Sequence, residues 1–139
     1  MADPKRSLRR AKLLERVRAV EKRAHAAEAQ AAEEAHARLE GVAARSLSLA
    51  SDYAATGQVR DGLELRARQA LASGLHDISM QAAGNAQAAR RTADARLAEL
   101  AGAEQRRRAA QDHAIGISRA IDAPKSEISP SRKSGTALE

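Results

Sequence analysis

The side chains that could do chemistry in this chain are four histidines, with no cysteine beside them. His25 and His36 are eleven residues apart and share a helix face, but a chelating pair needs a spacing of one helical turn. We expect no cluster of carboxylates from the second half of the chain to converge on them, and therefore no metal site. His76 and Asp77 are the residue types of a general base and its orienting group, but such a pair needs a cleft. These residues predict neither an enzyme nor a bound cofactor.

The elements that would position these histidines are two long amphipathic arms. Apolar residues recur in each arm at steps of three and four, the spacing that keeps one face of a helix apolar. The first stripe is Leu13, Val17, Val20, Ala24, Ala27, Ala31, Ala35, Leu39, Val42, Ser46, Leu49 and Tyr53. The second is Leu71, Leu75, Ile78, Ala82, Ala86, Ala89, Ala93, Leu97 and Leu100, continued less regularly by Ala103, Ala110, Ala114, Ile117 and Ile121. Stripes so long and narrow are typical of a coiled-coil seam, the line along which two helices pack, and a two-stranded seam leaves no room for a pocket.

Glycines and polar residues separate the two stripes. Gly57 and Gly62, with Thr56 and Asp61 beside them, predict a helix stop and a new N-cap, so the turn lies at about residues 55–62. Folding the chain there pairs positions whose numbers sum to roughly 120. The predicted fold is all-α, a long antiparallel two-helix coiled-coil hairpin.

The predicted hairpin covers residues 8–121. Residues 1–7 are expected to form a flexible N terminus. Residues 122–139 are small, polar and interrupted by proline, which predicts a disordered C-terminal tail. Ion pairs one helical turn apart are expected to add a little to helix stability, at Glu34–Arg38, Glu64–Arg68 and Glu104–Arg108.

Charge divides the predicted hairpin into a basic end and a mildly acidic remainder. Residues 1–23 hold nine Lys or Arg against three acids, and residues 90–108 hold six Arg against three acids. Residues 24–89 hold eight acids against five Arg. The hairpin brings the two basic segments together, and a basic open end suits an acidic partner. Charge alone is equally compatible with a solvated basic face that has no specific target.

Nucleic acid and membrane are the other partners that a basic chain suggests. No aromatic residue lies among the arginines to stack on bases, and acids are interspersed with them, which argues against a specific nucleic-acid site. No run approaches the roughly 18 uncharged apolar residues of a membrane span. The basic N terminus is not followed by the apolar segment of a signal peptide. The sequence therefore favours a protein partner.

A family resemblance adds to this interpretation. The chain is short, basic and free of cysteine, with an N-terminal helix Ser-Leu-Arg-Arg-Ala-Lys-Leu-Leu-Glu-Arg-Val-Arg, a tyrosine near the turn and a returning pattern of Leu71, Leu75, Ile78 and Gln81. Over residues 8–121 it resembles the FliJ family of flagellar export proteins and their YscO-type virulence-secretion relatives. The resemblance implies a two-helix antiparallel coiled coil similar to the central stalk of rotary ATPases, which joins the export ATPase ring to the membrane export gate.

The resemblance also implies two contact surfaces. The paired terminal ends of family members enter the ATPase ring, which assigns to ring binding Arg9, Arg10, Lys12, Arg16, Arg106, Arg107 and Arg108. The gate-contacting surface of the family lies towards the turn, which assigns to gate binding Leu49, Tyr53, Leu71, Leu75 and Ile78. Leu49 and Leu71 stand where family members tend to have aromatic residues. Seam packing is the alternative role for Leu71, Leu75 and Ile78.

The function expected from this resemblance is that of a non-enzymatic stalk, coupling and escort subunit of a flagellar or related type III protein export apparatus. Its partners would be the export ATPase hexamer, the export gate membrane protein and export chaperones, with no specific nucleic acid. It would be cytoplasmic, and its protein partners would hold it at the inner face of the cell membrane. The processes it would serve are flagellum biogenesis and motility. The alternatives are a generic coiled-coil scaffold or oligomerisation module and a basic coiled coil that binds nucleic acid.

Overall fold

Two long helices make up the fold. In the computed structural model, which describes residues 3–55 and 57–127, α1 runs over Pro4–Ala55 and α2 over Gly62–Glu127. The two helices pack against each other, and no strand occurs among the described residues, so the predicted all-α, two-helix fold is confirmed. The helices extend beyond the predicted hairpin at both ends, since α1 already begins within the expected flexible N terminus. Residues 128–139 of the expected tail lie outside the described part.

The turn has the capping aspartate that the sequence predicts. The Asp61 carboxylate accepts a hydrogen bond from the Glu64 backbone N–H at 2.8 Å, and the Glu64 carboxylate accepts one from the Arg60 N–H at 2.9 Å. The first bond satisfies a donor that the first turn of α2 leaves without a helical partner, and the second holds the residue before the cap against that turn. Gly57 does not act through left-handed backbone geometry, because no glycine among the described residues has a positive φ.

The chain forms two compact units. The first unit combines Met1–Lys22 with Ala103–Glu139, and the second unit is Arg23–Gly102. In the second unit the Ser79 hydroxyl donates to the Ala43 carbonyl at 2.9 Å, and an Arg96 nitrogen lies 3.4 Å from a Glu28 oxygen. These pair numbers sum to 122 and 124, so the helices run antiparallel in a register close to the predicted one.

Small side chains build the seam of the second unit. Its buried residues are Ala29, Ser46 and Ala50 from α1 and Ser79, Ala82, Ala86 and Ala93 from α2. Among the described residues no large side chain is fully buried. Alanine and serine allow the helix axes to approach closely, but they remove little apolar area from water. The helices therefore contact through a thin core.

The seam of the first unit combines alanines with charged residues. Ala11 from α1 and Ala103, Ala110 and Ala114 from α2 are buried. On α1 the further seam positions, all half buried, are Glu15, Arg18 and Lys22. Because charged side chains at such positions need partners, ion pairs as well as apolar contacts hold this unit together.

Most of the stripe predicted on α2 is the seam. Its buried or half-buried members are Leu75, Ala82, Ala86, Ala89, Ala93, Leu100, Ala103, Ala110, Ala114, Ile117 and Ile121. Leu71, Ile78 and Leu97 are exceptions, because all three are exposed. The seam instead takes a position one residue away from each, at Ala72, Ser79 and Arg96.

The stripe predicted on α1 was wrong over most of its length. Only Leu39 and Ser46 lie in the seam, whereas the other ten members are exposed: Leu13, Val17, Val20, Ala24, Ala27, Ala31, Ala35, Val42, Leu49 and Tyr53. The residues that α1 turns towards α2 are Ala11, Glu15, Arg18, Lys22, His25, Ala29, Ala32, His36, Leu39, Ala43, Ser46 and Ala50. These positions alternate steps of four and three, the 3.5-residue period of a coiled coil.

Candidate functional site

The basic residues assigned to a partner are concentrated in the first unit. This unit carries 15 Lys and Arg against 8 acids in the sequence, whereas the second unit carries 9 against 10. Most of the assigned cations have exposed side chains, namely Arg9, Arg10, Lys12 and Arg16 on α1 and Arg106 and Arg108 on α2. Arg107 differs from them because it is half buried. The first unit therefore presents a strongly basic surface.

Glu104 on α2 is the centre of a charge network in the first unit. Lys22 Nζ of α1 lies 2.8 Å from Glu104 Oε2, and the Arg107 guanidinium donates to both Glu104 oxygens at 2.8 Å. Arg108 Nε donates to Glu104 Oε1 at 3.0 Å. Hydrogen bonds from Arg107 and Lys22 hold the pKa of the Glu104 carboxyl well below its usual range. Glu104 consequently stays ionised at neutral pH and links the two helices.

Arg107 acts inside the first unit rather than on its surface. Besides its two bonds to Glu104, Arg107 Nη1 donates to Gln111 Oε1 at 3.2 Å. The hydrogen bond to Glu104 raises the pKa of the Arg107 guanidinium above its ordinary value. A guanidinium with this many internal partners is a poor choice for binding an external acid, since a new partner must displace the old ones. Among the seven cations assigned to the ring, Arg107 makes the most hydrogen bonds to other side chains of the described residues.

The Glu104 network contains a pair that the sequence analysis missed. The three predicted pairs within helices are present, with Glu34–Arg38 at 3.5 Å, Glu64–Arg68 at 3.2 Å and Glu104–Arg108 at 3.0 Å. The Lys22–Glu104 contact between the helices was not predicted. Its signal is in the sequence, because the two numbers sum to 126, close to the hairpin register, and the charges are opposite.

The apolar residues assigned to the gate divide into two groups. Leu49, Tyr53, Leu71 and Ile78 are exposed, whereas Leu75 is half buried in the seam. Leu49 and Tyr53 line a small groove of about 300 Å³ on the second unit. The alternative role of seam packing therefore fits Leu75, while the other four present apolar surface to solvent.

A larger groove in the second unit contradicts the prediction that the seam leaves no room for a pocket. It has a volume of about 830 Å³ and is lined by alanines of both helices and by Leu47, Met80, His36 and His76. Leu47 and Met80 are mostly exposed. The groove exists because the seam is built of small residues, so that large side chains stand beside it and form walls. Asp77 does not contribute to the lining, so the structure does not bring it into this groove with His76.

His25 lies near two carboxylates, Glu28 of its own helix and Glu99, which is a single carboxylate from α2 and not a cluster. His25 Nδ1 lies 3.7 Å from Glu28 Oε2 and 3.7 Å from Glu99 Oε2. The candidate ligand atoms of these three residues lie within 4.8 Å of one another. Arg96 Nη1, however, lies 3.4 Å and 3.1 Å from the same two carboxylate oxygens. A guanidinium thus already neutralises the acids, and a metal ion would have to displace it.

No protein-family model matches the chain, and neither the curated proteins nor the solved structures contain a significant match. No helix in the described ranges is long and apolar enough to cross a membrane. The geometry offers a basic surface on the first unit and apolar surfaces on the second. Surfaces of these two kinds can bind an acidic protein and an apolar protein segment, respectively.

Proposed function

We propose that this protein is a non-enzymatic coupling and escort subunit of a flagellar or related type III protein export apparatus, acting between the export ATPase ring and the export gate. The observation that carries the proposal is the basic first unit, with 15 cations against 8 acids, on an antiparallel helix pair. The resemblance to the FliJ family supplies the identity of the partners. The site of action would be cytoplasmic and peripheral at the inner face of the membrane, through protein partners.

The ATPase-binding surface in this proposal consists of the exposed cations of the first unit. Side chains such as Arg9 and Arg10 on α1 and Arg106 on α2 have no ion pair within the described residues, so their charge is available to an acidic partner. Exposed charges of this kind mainly speed association and set its salt dependence. Arg107 contributes indirectly, by holding Glu104 and keeping the two helices together.

The gate-binding surface in this proposal lies on the second unit. Leu49, Leu71 and Ile78 expose apolar side chains there, and Tyr53 adds an aromatic ring with a polar hydroxyl. Residues that combine an apolar body with a polar tip are enriched at protein interfaces. Export chaperones are further partners in this proposal, and the large groove beside Leu47 and Met80 is an additional apolar surface for them.

The test measures the activity and ring assembly of the purified export ATPase with and without this protein. We expect stimulation by the unchanged chain and its loss in the Arg9→Glu, Arg10→Glu double variant. The matched control reverses two exposed arginines of the second unit, Arg66→Glu with Arg91→Glu. Both variants change the net charge equally, so a site-specific effect appears only in the first.

Two outcomes would contradict the proposal. If the ATPase does not bind the unchanged chain at low salt, the generic coiled-coil scaffold is the remaining interpretation. If both double variants lose stimulation equally, net charge rather than the basic first unit is responsible. Binding to DNA with a steep salt dependence, in the absence of ATPase binding, would instead favour the nucleic-acid alternative.

A further inference from the structure

The face of α1 that points away from α2 carries three large apolar side chains in the first unit. Leu13, Val17 and Val20 are 58%, 52% and 62% exposed. Their spacing of four and then three residues is that of the core positions of a coiled coil. Within the described part of the first unit these side chains face solvent, so a second helix could pack on them.

The same spacing recurs on α1 in the second unit, with smaller residues. Ala24, Ala27 and Ala31 are exposed and continue the alternation of three and four. Alanines let a neighbouring helix approach closely. The outer stripe of α1, defined as Leu13, Val17, Val20, Ala24, Ala27 and Ala31, covers nearly three heptads.

Charged residues beside the outer stripe specify what could pack on it. When the stripe residues are taken as the core a and d positions, Arg16 and Arg23 occupy g positions and Glu21 and Glu28 occupy e positions. In a parallel pair of helices, a g residue of one chain meets the e residue five positions later in the other chain. Arg16 precedes Glu21 by five residues, and Arg23 precedes Glu28 by five.

These spacings favour one partner and one orientation. A second copy of α1, parallel and in register, would place each arginine opposite a glutamate on both sides of the interface. An antiparallel copy would bring g positions together and e positions together, which sets arginine against arginine and glutamate against glutamate. Arg16 and Arg23 have no ion pair within 4.0 Å among the described residues. Glu21 already pairs with Arg18 at 2.8 Å and Glu28 lies 3.4 Å from Arg96, so in the dimer each carboxylate would accept a second cation beside the one it has.

We infer that the chain forms a parallel homodimer through the outer stripe of α1. The large residues of the stripe supply most of the apolar contact, and the Arg16–Glu21 and Arg23–Glu28 pairs between copies fix the register. Because the alanine half contributes little buried area, the dimer is weak, with a dissociation constant between about 1 μM and 1 mM. This inference concerns the chain alone and goes beyond the proposed function. Arg16 belongs to both surfaces, whereas Arg9 and Arg10, which test the proposed function, lie outside the outer stripe, so the two proposals can fail separately.

The first test uses the fact that the chain contains no cysteine. In a parallel, in-register dimer the two copies of Val17 face each other, so Val17→Cys is expected to give a disulfide-linked dimer under mild oxidation. Lys12→Cys is the control, because Lys12 is exposed on α1 outside the outer stripe. An equal yield of linked dimer from both variants, or none from Val17→Cys, would overturn the inference.

The second test measures the dissociation constant by sedimentation equilibrium. Val17→Lys is expected to abolish dimerisation, and the Arg16→Glu, Arg23→Glu double variant should weaken it by roughly tenfold or more at low salt. All three side chains are exposed, so each variant should keep the helical circular dichroism of the unchanged chain. A chain that stays monomeric up to about 1 mM, or a dimer that these variants leave intact, would show the inference to be wrong.

Discussion

The seam assignment makes its strongest prediction at Ala29 of α1. Ala29 is 3% exposed and lies in the seam of the second unit. Ala29→Leu adds an isopropyl group where the side chain has almost no free surface, and overpacking of this kind costs about 1–3 kcal/mol. Ala35 is exposed on the same helix, so Ala35→Leu should change the free energy of unfolding by less than about 0.5 kcal/mol.

The assay is thermal and urea unfolding followed by circular dichroism, at protein concentrations well below the dissociation constant of the dimer, so that dimerisation does not contribute. For chains of this size, each kcal/mol lowers Tm by about 2–8 °C, which is easily measured. Ala35 belongs to the stripe predicted from the sequence and Ala29 does not, so the two assignments give opposite results. A greater loss of stability at Ala35 than at Ala29 would refute the seam described above.

Two further predictions concern backbone freedom and acid stability. Gly74 and Gly84 lie inside α2 with open space where a Cβ would stand. Replacing each by alanine should therefore stabilise the fold by about 0.5–1 kcal/mol, measured as a higher urea midpoint. An unchanged midpoint would contradict this prediction. Because the pKa of Glu104 is lower in the folded state, its carboxylate stabilises the fold above the ordinary glutamate pKa of about 4.3, and this contribution is lost as the pH falls. Glu104→Gln should therefore lower Tm at neutral pH and reduce the fall in Tm on acidification, whereas parallel pH profiles for the two proteins would exclude this role.

Local signals predicted the turn and the fold class correctly. Asp61 beside Gly62 predicted a new N-cap, and the Asp61 carboxylate accepts a hydrogen bond from the Glu64 backbone N–H at 2.8 Å. The long stretch without proline between Pro4 and Pro124 permits two uninterrupted helices. These features act over a few residues, so they do not depend on how the helices pack.

The face of α1 could not be predicted from apolar spacing, and the reason is a difference of register. The predicted stripe takes three consecutive steps of four residues from Ala27 to Leu39, whereas the seam alternates steps of four and three. The stripe therefore meets the seam at Leu39 and Ser46, but from Leu13 to Ala31 it lies two residues after each seam position, which is about 200° around the helix. The helix turns its alanines and charges towards α2 instead.

Polar seam positions are the second reason. Glu15, Arg18, Lys22 and His25 lie on the face of α1 that packs on α2, yet hydropathy assigns all four to solvent. Only the pairing of charges between helices identifies such positions. The candidate site shows the same limit. Counting charges along the sequence predicts the basic first unit, but it does not predict the Lys22–Glu104 ion pair that links the two helices there.

The thin seam and the exposed apolar surfaces have one cause. Because the seam is filled mainly by alanine, serine and paired charges, only a few large apolar side chains, such as Leu39 and Leu75, lie half buried between the helices, and most of the others are exposed. The hairpin then depends on helix propensity and ion pairs for much of its stability, while its leucines, valines and isoleucines remain available to other helices. A partner that covers the outer stripe would bury three large side chains, Leu13, Val17 and Val20, that the hairpin leaves exposed. Association should therefore raise Tm in a concentration-dependent way, as expected when a partner binds only the folded state.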